Sequence, residues 1–281
     1  PNRVRVTVRR TAERGNPLST FIASYLGRPT VDIGATATAE ASPANAMTCV
    51  KPFIIPDKWT EAQSPPWDYT DTYDAFDNRG NPLPDPDIYV GASDAVNYTG
   101  YNQETNRGQR LLLRAGTGSN IMASFYFSLA IGGNTGGNAG GDAYSWNIAN
   151  CNTSIMHIGE RVTQEPGNMH GPTIDGTQEL YDRDPGAYWD DATASVKGST
   201  FTGQSPRVFP IPLFDPIVYD SGKRNGRDAD LVVANWIGFF LESRPSSSGD
   251  IWGRIIPIAG IVDSTWDVPG GAFPKAIRLV E

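Results

Sequence analysis

The stretch Ile121-Met122-Ala123-Ser124-Phe125-Tyr126-Phe127-Ser128-Leu129-Ala130-Ile131 carries the most regular pattern in the chain. Ile121, Ala123, Phe125, Phe127, Leu129 and Ile131 alternate with Met122, Ser124, Tyr126 and Ser128. A period of two over this length is a β-strand with one buried face. The same period appears at the start of the chain. Val4, Val6 and Val8 alternate with Arg3, Arg5, Thr7 and Arg9, and Val31, Ile33, Ala35, Ala37 and Ala39 alternate with Asp32, Thr36, Thr38 and Glu40. Residues 110–114, 208–213, 231–241, 251–258 and 276–280 read as further strands, with Pro210 and Pro212 placing 208–213 at a sheet edge. Between the first two strands the spacing changes. Asn16 reads as a cap and Pro17 as a first turn, Leu18, Phe21, Ile22, Tyr25 and Leu26 share one helical face, and Gly27 ends it. The opening unit therefore reads strand–helix–strand, a pattern that usually makes a parallel pair with the helix over one sheet face. A second, short helix is expected around 177–181.

Composition supports this reading. Thirty glycines and 22 prolines among 281 residues exceed the usual share of about 12 %, which argues for many turns and short strands and against a helical bundle. The expected fold class is α+β, predominantly antiparallel β with long ordered loops. With no internal repeat and no clean break in composition, one domain is expected. Its parts are a strand–helix–strand part (1–48), a Pro-, Asp- and aromatic-rich excursion (49–109) and a β-rich part (110–281). The glycine-rich run 132–141 reads as a mobile loop. Within the excursion, Trp67, Tyr69, Tyr73 and Phe76 are expected to anchor it to the body. A net charge of −8, from 23 basic and 31 acidic residues, argues against nucleic acid and anionic membranes as partners. No stretch approaches the roughly 20 apolar residues that span a bilayer. Because residue 1 is Pro, an upstream segment carrying any anchor or export signal is expected.

Catalytic motifs are not found. The chain has no Gly-x-Ser-x-Gly elbow, phosphate loop or His-Glu-x-x-His helix, and Asp190-Asp191 reads as a turn pair, so no enzyme is expected. Cys49 and Cys151 are either a disulfide or two separate buried thiols, and together with His157 and His170 they lack the short paired spacings of a zinc site. The carboxylates of the excursion, with Asp74, Asp77 and Asp85 foremost, could hold calcium, although Asp and Asn before Gly and Pro also form turns. No other cofactor is expected.

Several blocks in order resemble the TadG-like proteins of the tight-adherence (Flp-type) pilus assembly group. They begin with Val4-Arg5-Val6-Thr7-Val8-Arg9-Arg10, Asn16-Pro17-Leu18 and Gly27-Arg28-Pro29-Thr30-Val31-Asp32-Ile33-Gly34. They continue with Cys49-Val50-Lys51-Pro52-Phe53, Glu165-Pro166-Gly167-Asn168-Met169, Ser205-Pro206-Arg207-Val208 and Pro210-Ile211-Pro212-Leu213-Phe214-Asp215-Pro216. The resemblance implies an exported protein of the bacterial cell envelope, periplasmic or extracellular, held to the membrane only by a hydrophobic helix upstream of residue 1. It implies pilus or envelope proteins as partners and supplies no catalytic motif. The oxidising compartment it implies favours a Cys49–Cys151 disulfide. The strand carrying Val4, Val6 and Val8 could be exchanged with a neighbour, giving a homo-oligomer or filament. The rival reading is a secreted carbohydrate-binding or carbohydrate-active β protein, with Trp59, Trp67, Trp146 or Trp189 as stacking platforms.

Overall fold

The computed structural model describes residues 3–116, 120–132, 140–224, 231–267 and 274–280, so most of the glycine-rich run 132–141 lies outside the described residues. The chain opens with β1 (Arg3–Arg10), β2 (Leu18–Ser19), β3 (Thr30–Val31) and β4 (Ile33–Pro43). Next come β5 (Ala46–Met47), β6 (Phe53–Pro56), β7 (Arg110–Ala115), β8 (Phe125–Ser128) and α1 (Gly141–Ala149). They are followed by β9 (Met156–His157), β10 (Arg161–Val162), α2 (His170–Asp182), β11 (Tyr188–Asp190) and β12 (Ser195–Lys197). The last elements are β13 (Val208–Phe214), α3 (Pro216–Arg224), β14 (Leu231–Leu241), β15 (Ile251–Ile256) and β16 (Lys275–Val280). The fold is α+β and mostly antiparallel, as expected. Two compact units divide it: residues 1–42 with 276–281, and residues 43–275.

In the first unit, β4 lies between β1 and β16. Val4, Val6 and Val8 stand opposite Ala39, Ala37 and Ala35 in an antiparallel ladder, not the parallel pair expected. Nor does the helix expected over 16–27 form. Leu18–Ser19 pairs with Thr30–Val31, and within that small ladder Ala23–Leu26 makes only a 3-10 turn closed by Gly27 in the left-handed region. The ladder fixes the ends of the segment so close together that a straight three-turn helix does not fit between them.

The second unit is built on a barrel. Strands run β14-β13-β6-β8-β7-β15, and β15 pairs back onto β14, so the sheet closes; β10 adds beside the start of β14. Two of its pairings, β13–β6 and β7–β8, are parallel, and closure leaves the six strands without a free edge. Ile55, Leu113, Tyr126, Leu213, Ile237 and Ile255, one from each strand, belong to one buried cluster that also takes Tyr144 and Ile148 of α1 and Leu180 of α2. Helix α2 spans 13 residues around the short segment expected, and it crosses α1 at Gly176. A β-carbon there would stand 2.6 Å from the Ser145 carbonyl oxygen.

Two strands differ from their sequence reading. Strand β13 is interior, because its odd positions face β14 while the even ones, prolines included, need supply only carbonyls on the other side. Those of Pro210 and Phe214 accept from the N–H groups of Lys51 and Asp57. Strand β8 is buried on both faces. Tyr126 joins the barrel cluster, whereas Phe127 joins a second cluster with Trp236, Phe214 and Tyr219 of α3. The excursion covers that second cluster: Trp59, Tyr73 and Tyr89 are buried in it, Trp67 and Phe76 pack against it, and Tyr69 meets Trp252 edge-to-face at 5.5 Å.

One carboxylate ties the excursion to the barrel. Asp57 follows β6 and has no exposed surface. Its Oδ1 accepts from the backbone N–H of Lys58 (2.9 Å) and of Tyr101 (2.9 Å), and its Oδ2 from the hydroxyls of Tyr89 (3.0 Å) and Tyr98 (2.7 Å). Tyr98 Oη also accepts from Asn235 of β14 at 2.7 Å. Gly100 lies so near that any β-carbon would collide with the carboxylate. Burial pushes the Asp57 carboxyl from 3.8 up to about 6, with the four hydrogen bonds pulling the other way.

Asp57→Ala leaves buried donors without an acceptor and is expected to cost about 3–5 kcal/mol by urea denaturation. The raised value means that the ionisation-linked stability of Asp57 is fully present below pH 3.8 and is lost as pH rises through about 6. The stability of the wild type relative to Asp57→Asn should therefore fall between those pH values. A flat difference would show that the site does not titrate there.

Candidate interaction surface

In the first unit, β1 is an edge strand whose alternation produces two unlike faces. Val4, Val6 and Val8, with Ala39, Ala37 and Ala35 beside them, make one face apolar, and the three valines are 54–64 % exposed. On the opposite face Arg3 pairs with Glu40 at 3.0 Å, and the Thr7 and Thr36 hydroxyls lie 3.1 Å apart. Strand β16, the other edge, exposes Ile277 and Leu279 on one face of its own alternation. Ala276 is the one buried residue among the described residues of this unit. A small sheet that buries so little gains little from the hydrophobic effect.

Beyond β1 the 3-10 turn presents Phe21, Ile22, Tyr25 and Leu26, each 76–83 % exposed. Sequence periodicity assigned these four to a helix face and so missed them as a surface feature. Charge also divides along the chain. Residues 1–42 and 276–281 hold seven basic and four acidic side chains, net +3, and the remaining residues hold 16 and 27, net −11.

The other sequence candidates serve the fold. Cys49 and Cys151 form a disulfide across 102 positions. Beside it a cleft of about 350 Å³ is lined in part by Lys51 and Arg183. Lys51 donates to the carbonyls of Asn150 (2.6 Å) and Asn147 (3.5 Å) at the C-terminal end of α1, where a cation complements the helix dipole. Burial, with the Arg183 guanidinium adding to it, brings the Lys51 ammonium down to about 7.

Asp77 is a turn former: its carboxylate accepts from the backbone N–H of Arg79 and Asn81 and from the Asn81 side chain. The carbonyls of Asp74 and Asp85 accept from Gln63, while the Asp87 carboxylate holds the N–H groups of Ala62 and Asp74. Among the described residues no group of three His, Cys, Asp or Glu side chains is placed to hold a metal ion. His157 sits 2.9 Å from Asp263 and stacks on Trp266 at 4.3 Å, fastening residues 263–266 to β9.

Of the four tryptophans weighed as stacking platforms, Trp59 is buried in the core and Trp67 packs edge-to-face against it and Tyr101, while Trp146 lies in α1 and is half-buried. Trp189 donates to Asp191 and lies 5.7 Å from the Arg254 guanidinium. Sequence reading also passed over Arg207. This residue has no exposed surface, donates to the carbonyls of Asp184, Ala187, Leu241 and Glu242 at 2.6–2.9 Å, and lies over the Tyr181 ring at 4.0 Å.

Comparison of the chain with protein-family models, curated proteins and solved structures finds no match.

Reduction of the Cys49–Cys151 bond releases a loop of 102 positions and is expected to lower stability by about 4–5 kcal/mol in the chain-entropy account. Urea denaturation with and without reductant measures it, and an unchanged midpoint would show that the reduced chain is held equally well by its packing.

Proposed function

We propose that this chain is a non-enzymatic structural or interaction protein of the bacterial cell envelope, acting in assembly, anchoring or adhesion of a tight-adherence pilus. The observation that carries the interaction reading is the uncovered sheet of the first unit, where Val4, Val6 and Val8 stand exposed on an edge strand. Edge backbone groups can pair with another chain as readily as within one, and an apolar face in water favours any association that covers it. Arg3, Arg5, Arg9 and Arg10 oppose indiscriminate pairing of two like β1 edges and favour an acidic counterpart. The net −11 of residues 43–275 supplies one on a neighbouring copy, and such a heterologous contact builds rings or filaments.

The pilus setting comes from the ordered sequence blocks that resemble TadG-like proteins. The disulfide is compatible with export to an oxidising compartment, and among the described residues no helix is long and apolar enough to cross a membrane.

Deleting residues 1–9 is expected to abolish oligomers or filaments, seen by sedimentation and negative-stain imaging, while near-UV dichroism of the barrel unit persists. The Val4→Asp/Val6→Asp/Val8→Asp variant, which keeps the strand, should do the same. Filaments that survive both changes would overturn the role of β1.

A further inference from the structure

The turn that follows β1 is a built loop with no core of its own. Thr20 N–H donates to the Pro29 carbonyl at 2.9 Å, and Arg28 N–H to that of Ala23 at 2.9 Å. The Ser24 hydroxyl donates to the Phe21 carbonyl at 2.6 Å. These bonds close the backbone, and they leave Phe21, Ile22, Tyr25 and Leu26 pointing into solvent, with Phe21 and Tyr25 edge-to-face at 6.1 Å. Four large apolar side chains within six residues, each more than three-quarters exposed, cost free energy in water unless something covers them. The adjoining segment is basic: residues 9–33 hold Arg9, Arg10, Arg14 and Arg28 against Glu13 and Asp32.

We propose that this tip docks on an anionic lipid bilayer, its apolar side chains entering the interfacial region while the flanking arginines meet the headgroups. Aromatic and aliphatic side chains beside Arg suit the headgroup boundary, where apolar insertion and electrostatic attraction add. A second copy of the chain fits less well. Its net −11 unit could meet the arginines, but among the described residues of that unit no stretch of six carries more than one exposed large hydrophobic, so none offers a matching apolar cluster. The net −8 of the whole chain conceals this site because the acidic residues are concentrated in the other unit. The inference goes beyond the pilus reading, and the tip substitutions leave the Val4–Val6–Val8 face intact, so the two readings are tested separately.

The test is co-sedimentation of the full chain with phosphatidylcholine vesicles containing about one-third phosphatidylglycerol, and with phosphatidylcholine alone. Binding is expected to the anionic vesicles, to weaken with added salt, and to be much weaker on the neutral ones. The Phe21→Ser/Ile22→Ser/Tyr25→Ser/Leu26→Ser variant should lose at least about tenfold in affinity, and Arg14→Glu/Arg28→Glu a similar factor. Unchanged near-UV dichroism and an intact disulfide establish that both variants fold. No binding by the wild type would overturn the proposal, and so would a tip variant that binds equally well. Lipid-free sedimentation velocity gives the remaining outcome: a self-assembly abolished by the tip substitutions would assign this surface to protein contact and overturn the lipid assignment.

Discussion

A carboxylate buried with no cationic partner among the described residues governs how the second unit holds together. Asp57 leaves β6 and is met by donors from residues 58, 89, 98 and 101, with Asn235 of β14 bound to one of them. Three of the four donors come from residues 89–101, more than 30 positions along the excursion, so satisfying one acceptor group positions a long segment that has little regular structure of its own. Withdrawing a charge from water is costly, and the four hydrogen bonds offset part of that cost. The excursion then covers Phe127, Phe214 and Trp236, which gives β8 its second buried face.

Other buried polar groups repeat this arrangement on a smaller scale. Arg207 spreads its donors over four carbonyls at the ends of α2 and β14, and Lys51 caps α1 beside the disulfide. In both places a planar or ammonium cation takes up backbone carbonyls where elements terminate, the positions at which an intrahelical or ladder partner runs out. A turn-rich chain has many such ends.

The two units differ in kind. Residues 43–275 bury a closed barrel under an aromatic-rich excursion and two crossed helices, whereas the first unit exposes both faces of a three-stranded sheet and a hydrophobic tip. Its opposite net charge sets it further apart.

Alternation at β1 and β4 was legible in the sequence because side-chain direction in a strand depends only on the adjacent residue. The α+β class, the turn-rich antiparallel body and an excursion held by aromatics could be read from composition and local pattern. The pairing of Cys49 with Cys151 came from a resemblance, since spacing left it open. Tertiary structure alone decided the rest. Leu18, Phe21, Ile22, Tyr25 and Leu26 have the spacing of a helix face, but a ladder ties their flanks and none of the described residues covers them, so the same residues become an exposed tip. Pro210 and Pro212 mark an edge by local rule, yet they lie on a strand with neighbours on both sides, because only their carbonyls are needed on the side they face. Asp57 and Arg207 look like ordinary surface charges in the sequence. Their burial depends on partners up to 178 positions away, Asn235 through Tyr98 in the first case. Periodicity reports what neighbouring residues prefer, whereas burial is set by whatever distant segment arrives to cover them.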